Sequence, residues 1–424
     1  MKIRVVITAF GACTPLGNDY EEINSHLRDS MSGIRIIKKF NTSTFKSKYA
    51  GLPELGGRVS TGISGRTIYD EIYLNIALDE IISHRGFSLK AEHGNTGCFI
   101  GTDEPVGDLL QSINMAAGLK KNEAGEYVNL SELYAEHYRI NDFLRYDPTN
   151  VLRHIHRKIP FRGPSAIHLG LCSASLQAIG MGFKSVANGR VERAIVGGVS
   201  AKVSGEHYIG LESVDVINTD QQRPGAALSR PFDKKRAGYV PAEGAVLFQL
   251  ESLESALKRG AKPLLEIVGY GTSMNASHIV KPHQDSVEMI MSMHRAMEDA
   301  GIRPEDVDMI NAHGTSTVLN DFHESQAIRK LFNHPVPVTA NKSLHGHMIA
   351  AAGAMETLNT LIAMNENYIP GTLNLDNKDE ECEINITRET RYQQTRYCLK
   401  NSFGMGGLAA SVLFRATARA GEVL

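Results

Sequence analysis

The 424-residue chain predicts an α/β fold, with mixed sheets covered by helices on both faces and two similarly ordered halves. Three observations carry this expectation. Short apolar strands alternate with helical stretches along the whole chain. At Pro263 the order of events starts again, so that residues 1–260 and 261–424 each read strand, helix, strand, buried helix, strand. Two stretches, 174–186 and 348–364, are apolar or small on nearly every side, the pattern of helices packed inside a molecule.

Taken in order, Ile3–Phe10 reads as a strand ending at Gly11, and Glu21–Ser30 as a helix capped by Asn18-Asp19. Tyr73–His84 is a second helix, with Leu74, Ala77, Leu78 and Ile81 on one face. Gly97–Gly101 is a buried strand. Lys120 to Pro148 is polar and rich in aromatics (Tyr127, Tyr134, Tyr138, Phe143, Tyr146), and Asn129-Leu-Ser-Glu132 resembles a capping box. This excursion reads equally as a solvated insertion or as a lid or subunit contact. Ala166–Leu171 is extended and passes into the buried helix after Cys172. Arg193–Val203 and Ala245–Leu250 are strands, and Leu253–Arg259 is a short helix. In the second half, Leu264–Gly269 is a strand. Ser286–Ala300 is an amphipathic helix with Val287, Ile290, Met291, His294 and Met297 on one face, and Gly301 as its stop. Asp308–His313, Pro337–Asn341, Arg396–Phe403 and Ala409–Phe414 are strands around the helix Met348–Met364.

Composition excludes several classes. A net charge of −2 without a clustered basic surface argues against nucleic-acid binding. The five scattered cysteines form neither a disulfide framework nor a zinc-ligand spacing, which suits a reducing cytoplasm. Met1–Cys13 reads as a first strand rather than an export signal, because its apolar run is short and contains Thr8 and Gly11. No stretch approaches the roughly 18 apolar residues of a membrane span. The expectation is a soluble, cytoplasmic protein.

Four stretches carry chemistry. Cys172 sits where a strand turns into a helix, beside unpaired N–H groups and the positive end of the helix dipole. Both favour a thiolate, the nucleophilic form. Alone, a buried free cysteine reads first as core packing. Asn311-Ala-His313-Gly-Thr315-Ser-Thr317 ends a strand, the place where α/β sheets bind ligands. Asn341-Lys342-Ser-Leu-His345-Gly-His347 leads into a helix that carries Glu356, a carboxylate tolerable there only if paired. Lys342 is the nearest partner in sequence, and the pair is compatible with a structural or a catalytic setting. Asn401-Ser-Phe403-Gly-Met-Gly-Gly407 is a loop whose glycines allow close backbone approach to a ligand.

With Arg162-Gly-Pro-Ser, Ser229-Arg-Pro-Phe-Asp, Ala351-Ala-Gly-Ala-Met-Glu356 and Thr372-Leu-Asn-Leu-Asp, these motifs run in one order along nearly the whole chain. In that order the sequence resembles the β-ketoacyl-acyl-carrier-protein synthases, the elongating condensing enzymes of the thiolase superfamily. The resemblance implies a duplicated thiolase-like fold, layered αβαβα, in a dimer formed with itself or with a related ketosynthase-like subunit. It also implies an acyl carrier protein as partner, with substrates held on its phosphopantetheine arm and no metal or diffusible redox cofactor. Cys172 would take an acyl group from a thioester. His313 and His347 would face the malonyl thioester as hydrogen-bond donors. Lys342 would polarise the site and pair with Glu356. The N–H groups of Cys172 and Phe403 would hold the acyl oxyanion, and the Phe403 side chain would gate the acyl pocket. Thr315 and Thr317 match positions on the pantetheine arm, and Glu104 and Val106 lie in the loop that lines the acyl pocket.

The departures from that pattern fall on substrate-facing parts. They are Gly170-Leu-Cys-Ser in place of Thr-Ala-Cys, Val280 for a pantetheine-binding Thr, Met405 for Phe, Leu408-Ala409 for Thr-Asn, and Asp103-Glu104-Pro105 for a Gly-rich loop. Asp220 falls near a position often Arg, with Arg223 close enough to compensate. A specialised polyketide, polyene or fatty-acid-like pathway fits better than housekeeping fatty-acid elongation. A non-catalytic chain-length-factor-like subunit usually lacks the nucleophile that Cys172 supplies, and Cys398 does not match the second cysteine of a thiolase.

Overall fold

The first strand, β1 (Val5–Cys13), is buried at every residue, as a Val-, Ile- and Ala-rich run covered on both faces should be. The computed structural model describes residues 3–56, 69–88, 95–104, 109–138 and 147–417. Strands β2 (Thr96–Thr102), β3 (Ser165–His168), β4 (Arg193–Ser200) and β5 (Gly244–Ser252) join β1 in the spatial order β3-β2-β4-β5-β1. The first three of these are parallel, and β5 runs antiparallel to both its neighbours.

The second half repeats the arrangement. Strands β6 (Leu265–Met274), β7 (Met309–Asn311), β8 (Pro337–Thr339), β9 (Asn385–Ile386), β10 (Tyr397–Phe403) and β11 (Leu408–Arg415) lie in the order β9-β8-β7-β10-β11-β6. Apart from the short edge strand β9, both sets place their third, second, fourth, fifth and first strands side by side. Val5–Ile7 pairs antiparallel with Leu265–Ile267 and joins the two sets into one 11-stranded mixed sheet. The duplicated α/β architecture expected from the sequence is present.

Five helices complete the layers: α1 (Tyr69–Ser83), α2 (Ala174–Ala187), α3 (Val287–Ala300), α4 (Val318–Leu331) and α5 (Ala352–Glu366). Leu74, Ala77, Leu78 and Ile81 of α1 pack on the outer face of the first half. Met293, Met297 and Ile328 of α3 and α4 pack on the outer face of the second. Between the halves, Leu176, Ile179 and Phe183 of α2 share one core with Met355, Leu358 and Ile362 of α5. A Cβ at Gly353 would lie 2.7 Å from Leu176 Cβ and 2.8 Å from Leu176 N, so the two central helices touch backbone to backbone. That contact brings the start of α2, and Cys172, against the approach to α5, and His347. Ser175 Oγ ties the junction by accepting the Ala354 N–H at 3.0 Å.

Three local expectations are corrected. The first strand runs on past Gly11 to Cys13. Helix α3 does not bury the stripe expected from its sequence: Val287, Met291 and His294 are exposed, and Met289, Ser292, Met293, Ala296 and Met297 face the sheet. The reason is the approach to β6, where a Cβ on Gly269 or Gly271 would clash with the Ala296 or Ser292 carbonyl. Only the face with Ser292 and Ala296 is small enough to sit that close. Asn129 precedes the helix Leu130–His137 without capping it, because its side chain accepts the Lys120 N–H and donates to the Gly118 carbonyl. Residues 139–146, with Phe143 and Tyr146, lie outside the described residues.

Gly353→Ala should lower stability although alanine favours a helix by about 1 kcal/mol. The added carbon must displace Leu176, and overpacking of this kind costs about 1–3 kcal/mol. Denaturant unfolding checks this, and an unchanged or raised midpoint would show that the α2–α5 contact is looser than described.

Candidate active site

Leu171 adopts a left-handed backbone (φ 49°), a conformation that costs a non-glycine residue roughly 1–2 kcal/mol. This kink turns the chain from β3 into a 3-10 turn, Leu171–Ser173, with Cys172 at its tip and α2 following. Ser173 Oγ donates to the Gly170 carbonyl at 2.8 Å and holds the turn closed. Cys172 is buried, with 7% of its surface exposed.

His347 reaches the sulfur from the other half of the molecule. Its backbone N–H bonds the Val240 carbonyl at 2.7 Å, and its carbonyl accepts from Ala242 at 2.8 Å. The Ile349 N–H donates to Nδ1 at 3.2 Å. Because Nδ1 accepts, the ring proton of the neutral imidazole resides on Nε2, and Nε2 lies 3.1 Å from Cys172 Sγ. His347 is therefore a donor toward the sulfur.

His313 follows β7 and is fixed by acids on α4. Glu324 accepts the His313 and Gly314 N–H groups at 2.7 and 2.8 Å, and Asp321 accepts the Thr315 N–H at 2.9 Å. Lys342 Nζ lies 3.1 Å from His313 Nδ1 and donates to the His313 carbonyl and to Glu356 Oε1, each at 2.6 Å. An ammonium has no lone pair to offer, so Nδ1 accepts and the His313 proton is also on Nε2. The two imidazoles meet edge to face with centroids 5.3 Å apart, and Phe403 packs on His313 at 5.9 Å. A Cβ on Gly404 would lie 3.7 Å from Cys172 N, which places the Phe403 loop against the cysteine turn.

Cys172, His313, Lys342, His347, Glu356 and Phe403, widely separated in the chain, thus form one cluster. Thr315 and Thr317 lie on the turn after His313 with hydroxyls 2.8 Å apart. Glu104 has turned to Lys202, 2.9 Å away, where it is half-exposed. Val106 lies outside the described residues. Arg223 pairs with Asp220 itself at 3.2 Å. Sequence reasoning missed Asp321, Glu324, Lys400 and Tyr239, and singled out Asp103 only as part of the Asp103-Glu104-Pro105 loop. The spacing of Asp321 and Glu324, one turn apart on the helix after Thr317, was a usable signal. Lys400 stands 2.9 Å from Glu356 Oε2 inside a strand and had none.

Burial dominates the electrostatics. It pushes the Cys172 thiol up to about 12, with the Lys342 ammonium and backbone N–H groups pulling the other way. Burial therefore acts against the thiolate expected at the helix start and favours the thiol. Burial, reinforced by Lys342, holds His313 and His347 well below the usual histidine range. Burial also raises Asp103 to about 7, opposed by Lys202. For Glu356 burial acts upward, and Lys342 and Lys400 together outweigh it and keep the carboxyl ionised.

The sulfur and one ring nitrogen from each histidine lie within 4.8 Å of one another, a spacing that a metal ion could span. The donor set does not suit one. A metal-binding imidazole offers a bare nitrogen and donates from its other N–H, whereas here both Nδ1 atoms accept and each ring carries its proton on Nε2.

Comparison with known proteins agrees with this geometry. Residues 2–256 match the family described as beta-ketoacyl synthase, N-terminal domain, and residues 264–376 match the beta-ketoacyl synthase, C-terminal domain. A 3-oxoacyl-[acyl-carrier-protein] synthase 2 of Synechocystis sp. is 32% identical over 98% of both chains. A beta-ketoacyl synthase from Burkholderia phymatum superposes with a TM-score of 0.85 at 27% identity, covering 99% of this chain and 100% of its own. The ishigamide ketosynthase/chain length factor does so with 0.83 at 27%, with the same coverage.

The proton positions can be observed directly. In protein labelled with 15N-histidine, His313 and His347 should be neutral rings protonated at Nε2 at neutral pH. They should remain so as the pH falls through the usual histidine range, because burial and the Lys342 charge hold both rings well below it. A ring that charges within the usual histidine range, or a proton on Nδ1, would contradict the assignment.

Proposed function

This chain belongs to the β-ketoacyl synthase family and is a condensing acyltransferase, and from that premise we propose how its residues divide the reaction. The observation that carries the reading is the His347 Nε2–H donor 3.1 Å from the Cys172 sulfur, with a ring nitrogen of the neutral His313 inside the same 4.8 Å cluster. Cys172 attacks an acyl thioester carbonyl. The new S–C bond replaces the bond to the carrier thiol, which leaves with the proton of the cysteine. The N–H groups of Cys172 and Phe403 hold the intermediate oxyanion, a contribution worth about 10²–10³ in rate per donor.

A malonyl thioester then binds beside the acyl-cysteine. Its carboxylate leaves as CO₂, and the electron pair of the broken C–C bond becomes an enolate. The Nε2–H groups of His313 and His347 stabilise the enolate oxygen. Neutral rings serve this role better than imidazolium here, since each keeps its proton through the step. Lys342 fixes the tautomer of His313 and, through Glu356, the position of its own ammonium. The enolate carbon attacks the acyl carbonyl, a C–C bond forms, and the cysteine sulfur is released and regains a proton.

The substrates ride on the phosphopantetheine arm of an acyl carrier protein, as the name of the Synechocystis relative supports, and Thr315 and Thr317 line the path of the arm. Residues 1–260 form the half that carries the nucleophile, and 261–424 the half that carries His313, Lys342 and His347. The functional unit is a dimer, either of this chain or with a related ketosynthase-like subunit, and the compartment is the cytoplasm. Among the described residues, no helix is long and apolar enough to cross a membrane.

The pathway is a specialised type II polyketide, polyene or fatty-acid-like one rather than housekeeping elongation. The surroundings of Cys172 support this. Tyr239 packs on His347 at 5.0 Å, and the Asp103 carboxyl lies 3.4 Å from the Ala350 N–H. Both groups are polar where a plain alkyl chain needs apolar walls. Glu104 and Val106 continue this loop and bear on acyl choice.

Cys172→Ala should show no acyl adduct by intact mass while still decarboxylating a malonyl thioester. His313→Ala and His347→Ala should each lower condensation by about 10²–10³ and reduce acyl loading far less. Loss of loading with intact decarboxylation in both histidine variants would reverse the assigned roles.

A further inference from the structure

Glu356 is a carboxylate on a helix buried from Ala352 to Met364, and it faces two lysines rather than one. Lys342 bonds Oε1 at 2.6 Å, and Lys400 stands 2.9 Å from Oε2. Lys400 lies on β10, three residues before Phe403, and is itself wholly buried. Its ammonium also reaches the Ala312 carbonyl at 3.2 Å, the Asn311 carbonyl at 3.4 Å and the carbonyl of its neighbour Asn401. These carbonyls belong to the strand end that delivers His313 and to the start of the Phe403 loop. One side chain therefore touches both segments and the carboxylate that holds Lys342.

We propose that Lys400 is a positioning residue for condensation, acting through Glu356 and Lys342 on His313. The reasoning rests on the function proposed above and follows from the two counter-charges on Glu356. Glu356 has two oxygens, and Lys342 spends its hydrogens on His313 Nδ1, the His313 carbonyl and Oε1. Lys400 donates to three carbonyls and gives Oε2, which accepts no hydrogen bond among the described residues, a counter-charge at 2.9 Å that opposes rotation of the carboxylate toward Lys342. Without it, one buried oxygen loses its counter-charge, and the cheapest repair is for Lys342 to move toward both oxygens, releasing Nδ1.

The charges around Lys400 make its effect readable. It faces Glu356 on α5, Lys342 just before α5, Glu324 on α4 and His313 at the end of β7. His345 lies in the same cluster. Burial lowers the Lys400 ammonium to about 8, against the pull of Glu356. Its positive charge is one of those that depress His313 and His347. Removing that charge raises the basicity of both rings, so the acid limb of the reaction moves up in pH. Deprotonating it in the native enzyme loosens Lys342, so activity falls as pH rises through about 8.

The experiment compares native enzyme, Lys400→Met, Lys400→Gln, Glu356→Gln and the Lys400→Met/Glu356→Gln pair. The measurements are acyl loading of Cys172, malonyl decarboxylation against pH, and 15N spectra of His313. In Lys400→Met we expect loading within about threefold of native, with decarboxylation down about tenfold, a coupling in the range seen for residues sharing a network. The alkaline limb should vanish, the acid limb should shift up by about one pH unit, and His313 should gain a proton at a pH where the native ring stays neutral. The double variant should be no worse than Glu356→Gln alone. A native pH profile and native His313 spectrum in a folded Lys400 variant would overturn the proposal and leave Lys400 a packing residue. If neither Lys400 variant folds, the native profile decides: an alkaline limb near the stated value supports the proposal, and a flat profile overturns it. The His313 spectrum requires no turnover. A spectral change without condensation in native enzyme would reject the proposed function while retaining the action of Lys400.

Discussion

The carboxylate of Glu356 is the constraint on which the site depends. It lies in the central helix layer with no exposure, and such a charge is tolerable only when opposite charges and donors surround it. Lys342 and Lys400 answer it from two sides, one from the turn before α5 and one from β10. The need to pair that carboxylate holds together three segments that would otherwise be independent. It also leaves Lys342 pointed at His313. Removing one partner from such a pair typically destabilises by about 3–5 kcal/mol, so the arrangement resists drift.

Water exclusion then sets the character of the reacting groups. The same burial that demands ion pairing keeps the Cys172 thiol and the His313 and His347 rings neutral. The sulfur consequently meets an N–H donor on His347, with the neutral His313 ring in the same cluster, instead of a base–nucleophile pair. Such a site is suited to stabilising charge that develops during a reaction and disappears after it. Fixed proton positions matter more here than titration, and both are set by groups behind the rings: Lys342 for one and the Ile349 N–H for the other.

The layered fold supplies the exclusion. Cys172 comes from one half and both histidines from the other, and they meet because α2 and α5 approach through Gly353. Substrate-facing surroundings are less constrained by these demands. Asp103, Tyr239 and the Glu104–Lys202 pair lie near the cysteine side without taking part in the Glu356 network. That separation allows acyl preference to change while the proton arrangement stays fixed.

The sequence by itself determined the alternation of strands and helices, the restart at Pro263, the buried helices after Cys172 and His347, and the identities of Cys172, His313, Lys342, His347, Glu356 and Phe403. These are legible because periodicity, glycine breaks and residue order are local properties of a chain. Tertiary structure alone decided the rest. Lys400 looked like an ordinary strand residue, since nothing local shows that it opposes Glu356. Helix α3 read as one apolar stripe through Val287 and Met291, and only the close approach of β6 selected the face with Ser292 and Ala296 instead. Asn129 had the spacing of a cap and bonded elsewhere. The cysteine at a helix start suggested a thiolate, but its charge state is set by the solvent that the completed fold removes. Desolvation is a property of the whole packed molecule, so no stretch of sequence reports it.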